Sequence, residues 1–135
     1  MRVLIVEDEI LVAMELEETI SELGHEVVGI APDRPTALEL ARLGVDIALV
    51  DINLRDGETG VEIGRRLAGD SGAAVVFVTA NDSMVGDGVP GAIGVLPKPV
   101  SREAVAGIVS YALTRRLSRA EVALPAPPVG LRLFA

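Results

Sequence analysis

The chain has no cysteine and no tryptophan, and only one histidine, one tyrosine and two phenylalanines. Without cysteine there is no disulfide, no thiolate nucleophile and no cysteine-ligated metal. With so few aromatics there is no platform on which nucleobases stack. The lone His25 sits in a turn between Gly24 and an apolar segment, where an imidazole is ordinarily just solvated. Long apolar runs are missing as well. None approaches the roughly 20 residues of a membrane-spanning helix, and the amino terminus enters an apolar strand at once with no signal-peptide pattern, so a cytoplasmic protein is expected. Basic residues are scarce: 12 Lys and Arg face 20 Asp and Glu, a formal net charge of −8. That balance repels phosphate backbones and anionic lipid, which argues against direct nucleic-acid or membrane partners. Neither a Gly-x-x-x-x-Gly-Lys-Ser/Thr loop nor a Gly-x-Gly-x-x-Gly turn occurs, so nucleoside triphosphates and dinucleotides have no cradle.

What is present reads as one globular domain. Half of the 135 residues are hydrophobic, and a chain of this length buries roughly two-thirds of its unfolded surface. Short, β-branched apolar runs alternate with amphipathic stretches. Arg2-Val-Leu-Ile-Val6, Val27-Val-Gly-Ile30, Val45-Asp-Ile-Ala-Leu-Val50, Ala73-Ala-Val-Val-Phe-Val78 and Ala92-Ile-Gly-Val-Leu96 predict five strands. Ile10, Ala13, Leu16, Ile20 and Leu23 recur at three and four and predict a helix that stops at Gly24. Asp33 and Pro35 open a second helix that reaches Leu43, and residues 60–68 predict a third. Ser101 caps a last helix, whose Val105, Ile108, Val109, Ala112 and Leu113 face inward. Between residues 82 and 91 the glycines Gly86, Gly88 and Gly91, with Pro90, leave a fourth helix short or irregular. Five strand–helix alternations with short loops give a doubly wound α/β fold with a parallel sheet. The domain is expected over residues 1–120. The last helix is expected to pass Leu117 and end at Pro125-Ala-Pro-Pro128, with a loose tail beyond and no output domain.

The chemistry gathers at one edge of that sheet. Parallel strands bring their carboxyl ends together, and those ends carry Glu7 and Asp8, Asp51, Thr79 and Lys98. Each alone has an ordinary explanation as a cap, a strand end or a solvated charge; their shared placement does not. Two unit charges about 4 Å apart at an effective dielectric near 20 repel by about 4 kcal/mol, so Asp8 and Asp51 call for a cation. Carboxylates without His or Cys form a hard oxygen site, which suits Mg²⁺, with Mn²⁺ as a substitute. A phosphoryl group would complete such a site, with Lys98 and the Thr79 hydroxyl holding its oxygens and Asp51 as the nucleophilic carboxylate.

Glu7-Asp8, Asp51 with Asn53 two residues on, Thr79-Ala80 and Lys98-Pro99 together resemble the signature of response-regulator receiver domains, over residues 1 to about 117. The resemblance implies the flavodoxin-like strand order 2-1-3-4-5. It implies phosphorylation of Asp51 by a histidine kinase or histidine phosphotransfer protein. It further implies Mg²⁺ held by Asp8, Asp51 and the backbone carbonyl of Asn53, with Glu7 acting largely through water, and a cis Lys98–Pro99 bond. Small Ala80 would leave room for the donor's imidazole. Val95 stands where receivers commonly carry an aromatic, and the Phe77-Val-Thr-Ala-Asn81 segment is similar to alphaproteobacterial stand-alone receivers. Pro97, which removes a ladder donor, fits a fifth strand at the sheet edge. The expectation is therefore a monomeric or weakly dimeric signalling protein, self-dephosphorylating but not a turnover enzyme. It would signal through protein contacts or serve as a phosphate sink. Two rivals remain: a phosphorylation-independent binding module, and an aspartyl-phosphate phosphatase of the haloacid dehalogenase kind, which would want Asp at position 53.

Overall fold

The computed structural model describes residues 1–86, 88–117, 127 and 129–134. Its strands are β1 (Arg2–Val6), β2 (Glu26–Ala31), β3 (Ile47–Val50), β4 (Ala74–Thr79), β5 (Ala92–Pro97) and β6 (Arg132–Leu133). They form one sheet in the order β2-β1-β3-β4-β5-β6. The first five are parallel and β6 is antiparallel to β5. The helices are α1 (Ile10–Glu22), α2 (Arg34–Ala41), α3 (Gly60–Asp70) and α4 (Arg102–Leu117). The flavodoxin-like order 2-1-3-4-5 is therefore present.

The apolar runs become the central strands because both faces of the sheet are covered. Every residue of β3 and β4 is buried. Val3, Ile5, Leu49, Val76 and Val78 point towards α1 and α4, whose Leu16, Ile20, Ile108 and Val109 complete that core. Leu4, Val6, Val50, Val75 and Phe77 point the other way, onto Ala37 of α2 and Ile63 and Leu67 of α3. The predicted caps form: the Thr36 N–H donates to Asp33 Oδ1 at 3.0 Å, and the Ala104 N–H donates to Ser101 Oγ at 3.0 Å.

The fourth helix, expected to be short or irregular, is a single 3₁₀ turn, Asp82–Val85, because Gly86, Gly88 and Gly91 all take positive φ and no helix propagates through them. The structure departs from the sequence reading at other places. At the ends of α1, Ile10 and the capping residue Leu23 are exposed, and Thr19 is buried instead with its hydroxyl bonded to the Glu15 carbonyl at 3.0 Å. On α4, Tyr111 is buried and Leu113 only half-buried.

The largest correction concerns the carboxyl terminus. Residues 129–134 are not a loose tail. Leu131 is buried, β6 pairs Gly94 with Leu133 and Val95 with Arg132, and the Phe134 N–H donates to the Ile93 carbonyl at 2.9 Å. The strand forms because the edge of β5 offers unpaired backbone groups. β5 is thus a free edge only beyond Val95. Lys98 N–H donates to the Thr79 carbonyl at 2.9 Å, so the neighbouring Pro97 nitrogen faces away from β4, where β6 does not reach. The expected end of the last helix beyond Leu117, most of the run Pro125-Ala-Pro-Pro128 and the boundary at residue 121 lie outside the described residues. Among the described residues no helix is long and apolar enough to cross a membrane.

Candidate functional site

The register of the sheet assembles the site. Val6 lies opposite Val50, so Glu7 and Asp51 leave neighbouring strands side by side. Their amides extend the ladder one step further: Asp51 N–H donates to the Val6 carbonyl and Glu7 N–H to the Ala31 carbonyl, both at 2.9 Å. Thr79 lies opposite Pro97 at the ends of β4 and β5, which puts Lys98 at the same edge. The Lys98–Pro99 peptide bond is cis.

The Lys98 ammonium ties the site together. It donates to Glu7 Oε1 and, at 2.8 Å, to Asp51 Oδ2, with Glu9 Oε1 3.9 Å away. Glu7, Asp51 and Thr79 are 3 %, 6 % and 0 % exposed, so these charges are largely out of water. Asp8 is exposed, yet it still offers an oxygen in a group with Glu7 and Asp51 whose ligand atoms all lie within 4.8 Å of one another. Asn53 is exposed, and its backbone N–H donates to Asp51 Oδ1 at 3.4 Å. The Thr79 hydroxyl accepts from the Asn81 N–H at 3.1 Å. His25 lies at the opposite end of the sheet, just before β2, and takes no part in this site.

Electrostatics divide the two buried carboxyls. Burial first, and Asp51 second, push Glu7 up to about 8 against the pull of Lys98. Burial also acts to raise Asp51, but Glu7, Lys98 and Thr79 outweigh it and hold Asp51 below the usual carboxylate range. Burial would lower Lys98, yet Asp51 and Glu7 raise it above its ordinary value. At neutral pH the site therefore holds an ionised Asp51, a charged Lys98 and a Glu7 that keeps its proton. An ionised carboxylate beside an ammonium is a nucleophile ready to meet an electrophile that brings negative oxygens.

The donor set also suits a hard divalent cation. Three carboxylates converge, no nitrogen or sulfur ligand stands among them, and Glu7 Oε2 is buried without a hydrogen-bond partner. Mg²⁺ or Mn²⁺ held beside Asp8 and Asp51 would favour the ionised form of Glu7 and so leave that oxygen facing positive charge.

Sequence reasoning missed the role of Gly60. The Gly60 N–H donates to the Ile52 carbonyl at 3.0 Å, and a Cβ at Gly60 would stand 2.0 Å from the Asp51 carbonyl oxygen. The first residue of α3 thus lies directly on the peptide that carries Asp51. The loop between them is closed by reciprocal bonds, Leu54 N–H to the Gly57 carbonyl at 2.8 Å and Gly57 N–H to the Leu54 carbonyl at 3.0 Å. The only sequence signal was a glycine at a helix start. Beside the site, an apolar cleft of about 340 Å³ between α1 and α4 is lined by Val12, Leu16, Ala80, Lys98, Pro99 and Val105, among others.

Known proteins resemble this chain in sequence and in fold. Residues 3–110 match the family model described as the response regulator receiver domain. The phyllosphere-induced regulator PhyR of Methylorubrum extorquens is 35% identical over 116 residues, which cover 82% of this chain and 43% of that protein. The transcriptional regulatory protein PdtaR of Mycobacterium tuberculosis is 35% identical over 120 residues, 84% of this chain and 57% of the relative. The chain thus spans about half the length of these two curated relatives. The solution structure of the PhyR response regulator REC domain of Erythrobacter litoralis superposes with a TM-score of 0.77 at 32% identity, covering 90% of this chain and 95% of that one.

Proposed function

The chain belongs to the response regulator receiver domain family, and on that premise we propose that it is a phospho-acceptor of two-component signalling that takes its phosphoryl group on Asp51. The observation that carries this reading is the buried, ionised Asp51 held by Lys98 at 2.8 Å. The donor is a phosphohistidine of a histidine kinase or phosphotransfer protein. An Asp51 carboxylate oxygen attacks phosphorus, the P–N bond breaks, and its electron pair leaves with the imidazole, which is then protonated by water. Lys98 shifts from Asp51 to a phosphoryl oxygen, and the Thr79 hydroxyl donates to another. Asp8, Asp51 and the Asn53 carbonyl would hold Mg²⁺, with Glu7 behind them. When bound, that ion neutralises charge on the phosphoryl oxygens and aligns the acceptor.

Ala80, small and exposed beside Thr79, would leave room for the donor's imidazole, and the exposed Ile10, Leu11 and Met14 at the start of α1 give a donor protein an apolar surface beside the site. Partners of this kind place the protein in the cytoplasm. Turnover of phosphomonoesters is not favoured, because Asn53 stands where a phosphatase of the rival class needs an acid.

Intact-mass analysis after incubation with acetyl phosphate and Mg²⁺ tests the reading. One added phosphoryl group is expected on the native chain and none on Asp51→Asn or with a chelator present. No added mass on the native chain, with acetyl phosphate or with phosphorylated donor proteins, would leave only a receiver-shaped binding module.

A further inference from the structure

β6 is only two residues long, yet the tail that carries it is held in three ways. The first is the ladder to Gly94 and Val95, extended by the Phe134 N–H to the Ile93 carbonyl at 2.9 Å. The second is steric admission. A Cβ at Gly94 would stand 2.4 Å from the Arg132 carbonyl oxygen, and the next two nearest atoms, at 3.1 and 3.2 Å, also belong to residues 132 and 133. Glycine at this position is what lets the tail approach. The third is a clamp on the segment after β4. The Phe134 ring lies 6.2 Å from that of Phe77, and a Cβ at Gly88 would stand 3.0 Å from Phe134 Cβ and Cγ. Arg132 Nη1 donates to the Gly86 carbonyl at 2.8 Å, and its guanidinium stands 5.9 Å from the centroid of the Phe134 ring.

Every anchor of the tail leads by a few peptide units to the site. Phe77 lies two residues before Thr79 on β4. Gly94 and Val95 precede Lys98 on β5, and Gly86 and Gly88 lie in the segment into which Thr79 leads. Charge acquired at Asp51 that draws Thr79 and Lys98 towards it pulls on all three surfaces that the tail touches.

We propose that the outer edge of β5 is a strand-binding site whose resident occupant is residues 131–134 of this chain, and that docking of this strand and phosphoryl charge on Asp51 oppose one another. The inference rests on the phospho-acceptor reading above. The docked tail holds Gly86 and Gly88 in the arrangement that accompanies an Asp51–Lys98 ion pair. By linkage, whatever the docked tail costs a phosphoryl group at Asp51, the group costs tail docking in return. A strand of two residues has few ladder bonds to lose, which suits a reversible latch.

The test uses the full chain, Mg²⁺ and beryllofluoride, a non-covalent mimic of a carboxylate-bound phosphoryl group, read by fluorine NMR and amide hydrogen exchange. Beryllofluoride should lower protection of the Phe134 amide about fivefold or more, the lower end of ordinary coupling. Gly94→Ala and deletion of residues 129–135 should each tighten beryllofluoride binding by a similar factor. Gly94→Ala introduced into the shortened chain should add nothing, because both changes remove one contact. Equal affinities with unchanged Phe134 protection would overturn the latch and leave the phospho-acceptor reading standing, as would weaker binding in the variants. Absence of beryllofluoride binding in every form would overturn both.

Discussion

Replacing Gly60 with alanine should destabilise the domain by on the order of 3 kcal/mol or more, a severe effect for the addition of one methyl group. The new Cβ would stand 2.0 Å from the Asp51 carbonyl oxygen, 2.5 Å from Ile52 Cα and 2.8 Å from the Asp51 carbonyl carbon. All three are backbone atoms at the end of a fully buried strand, so no side chain can swing aside. Relief requires α3 or the Asp51 peptide to move, and movement of that peptide displaces the carboxylate from Lys98. Phosphoryl uptake should therefore fall by about tenfold or more, since small misplacements of reacting groups carry costs of that order. Gly69→Ala in the same helix is the matched control. Nothing lies within 4 Å of a Cβ there, and the change should be neutral or stabilising by up to about 1 kcal/mol. Thermal unfolding followed by far-ultraviolet circular dichroism separates the two, with a drop of about 10 °C expected for Gly60→Ala alone. Equal melting of the two variants would refute the close approach of α3 to the Asp51 peptide.

The contrast between Gly60 and Asp51 shows which parts of this molecule are legible before folding. Asp51, Thr79 and Lys98 stand out because each ends a short apolar run, and parallel strands carry such ends to one edge whatever the loops do. Gly60 does not stand out, because its role depends on how the loop from residue 53 to 59 turns back. Glu7 lies between these cases. Its place at the edge follows from β1, but its contact with Asp51 and Lys98 follows from the pairing of Val6 with Val50, and register is not written in either strand alone. β6 is illegible for another reason. Leu131-Arg-Leu-Phe134 is too short for a periodic signal, and its partner, Gly94, lies nearly 40 residues away. The helix ends erred in the opposite direction. Ile10 and Leu23 keep the apolar spacing of α1 but lie beyond the cover of the sheet and α4.

Raising the pH from about 6 to 9 should weaken the magnesium-free fold by on the order of 3 kcal/mol, and Glu7→Gln should remove most of that dependence. The cause is the buried Glu7 carboxyl, raised from 4.5 to about 8. Between those values the folded chain keeps a proton that the unfolded chain has released, so stability falls as pH rises. Its contribution is complete below 4.5 and lost as pH passes about 8. The interval from 6 to 8, at about 1.4 kcal/mol per unit, gives the expected magnitude. The other shifted groups fall outside this window or act in the opposite direction. Asp51 and Lys98 titrate below 3.8 and above 10.5 respectively. His25, lowered from 6.5 by burial and the nearby amino terminus, makes stability rise with pH near neutrality, so it cannot produce the expected fall. Mg²⁺ should counter the loss, because a divalent cation beside Asp8 and Asp51 favours an ionised Glu7. Its affinity should rise about tenfold per pH unit below 8, and its binding should release close to one proton. Urea unfolding at three pH values, with and without Mg²⁺, measures both effects. A flat profile for the native chain, or an equal slope in Glu7→Gln, would show that Glu7 does not hold its proton within the fold.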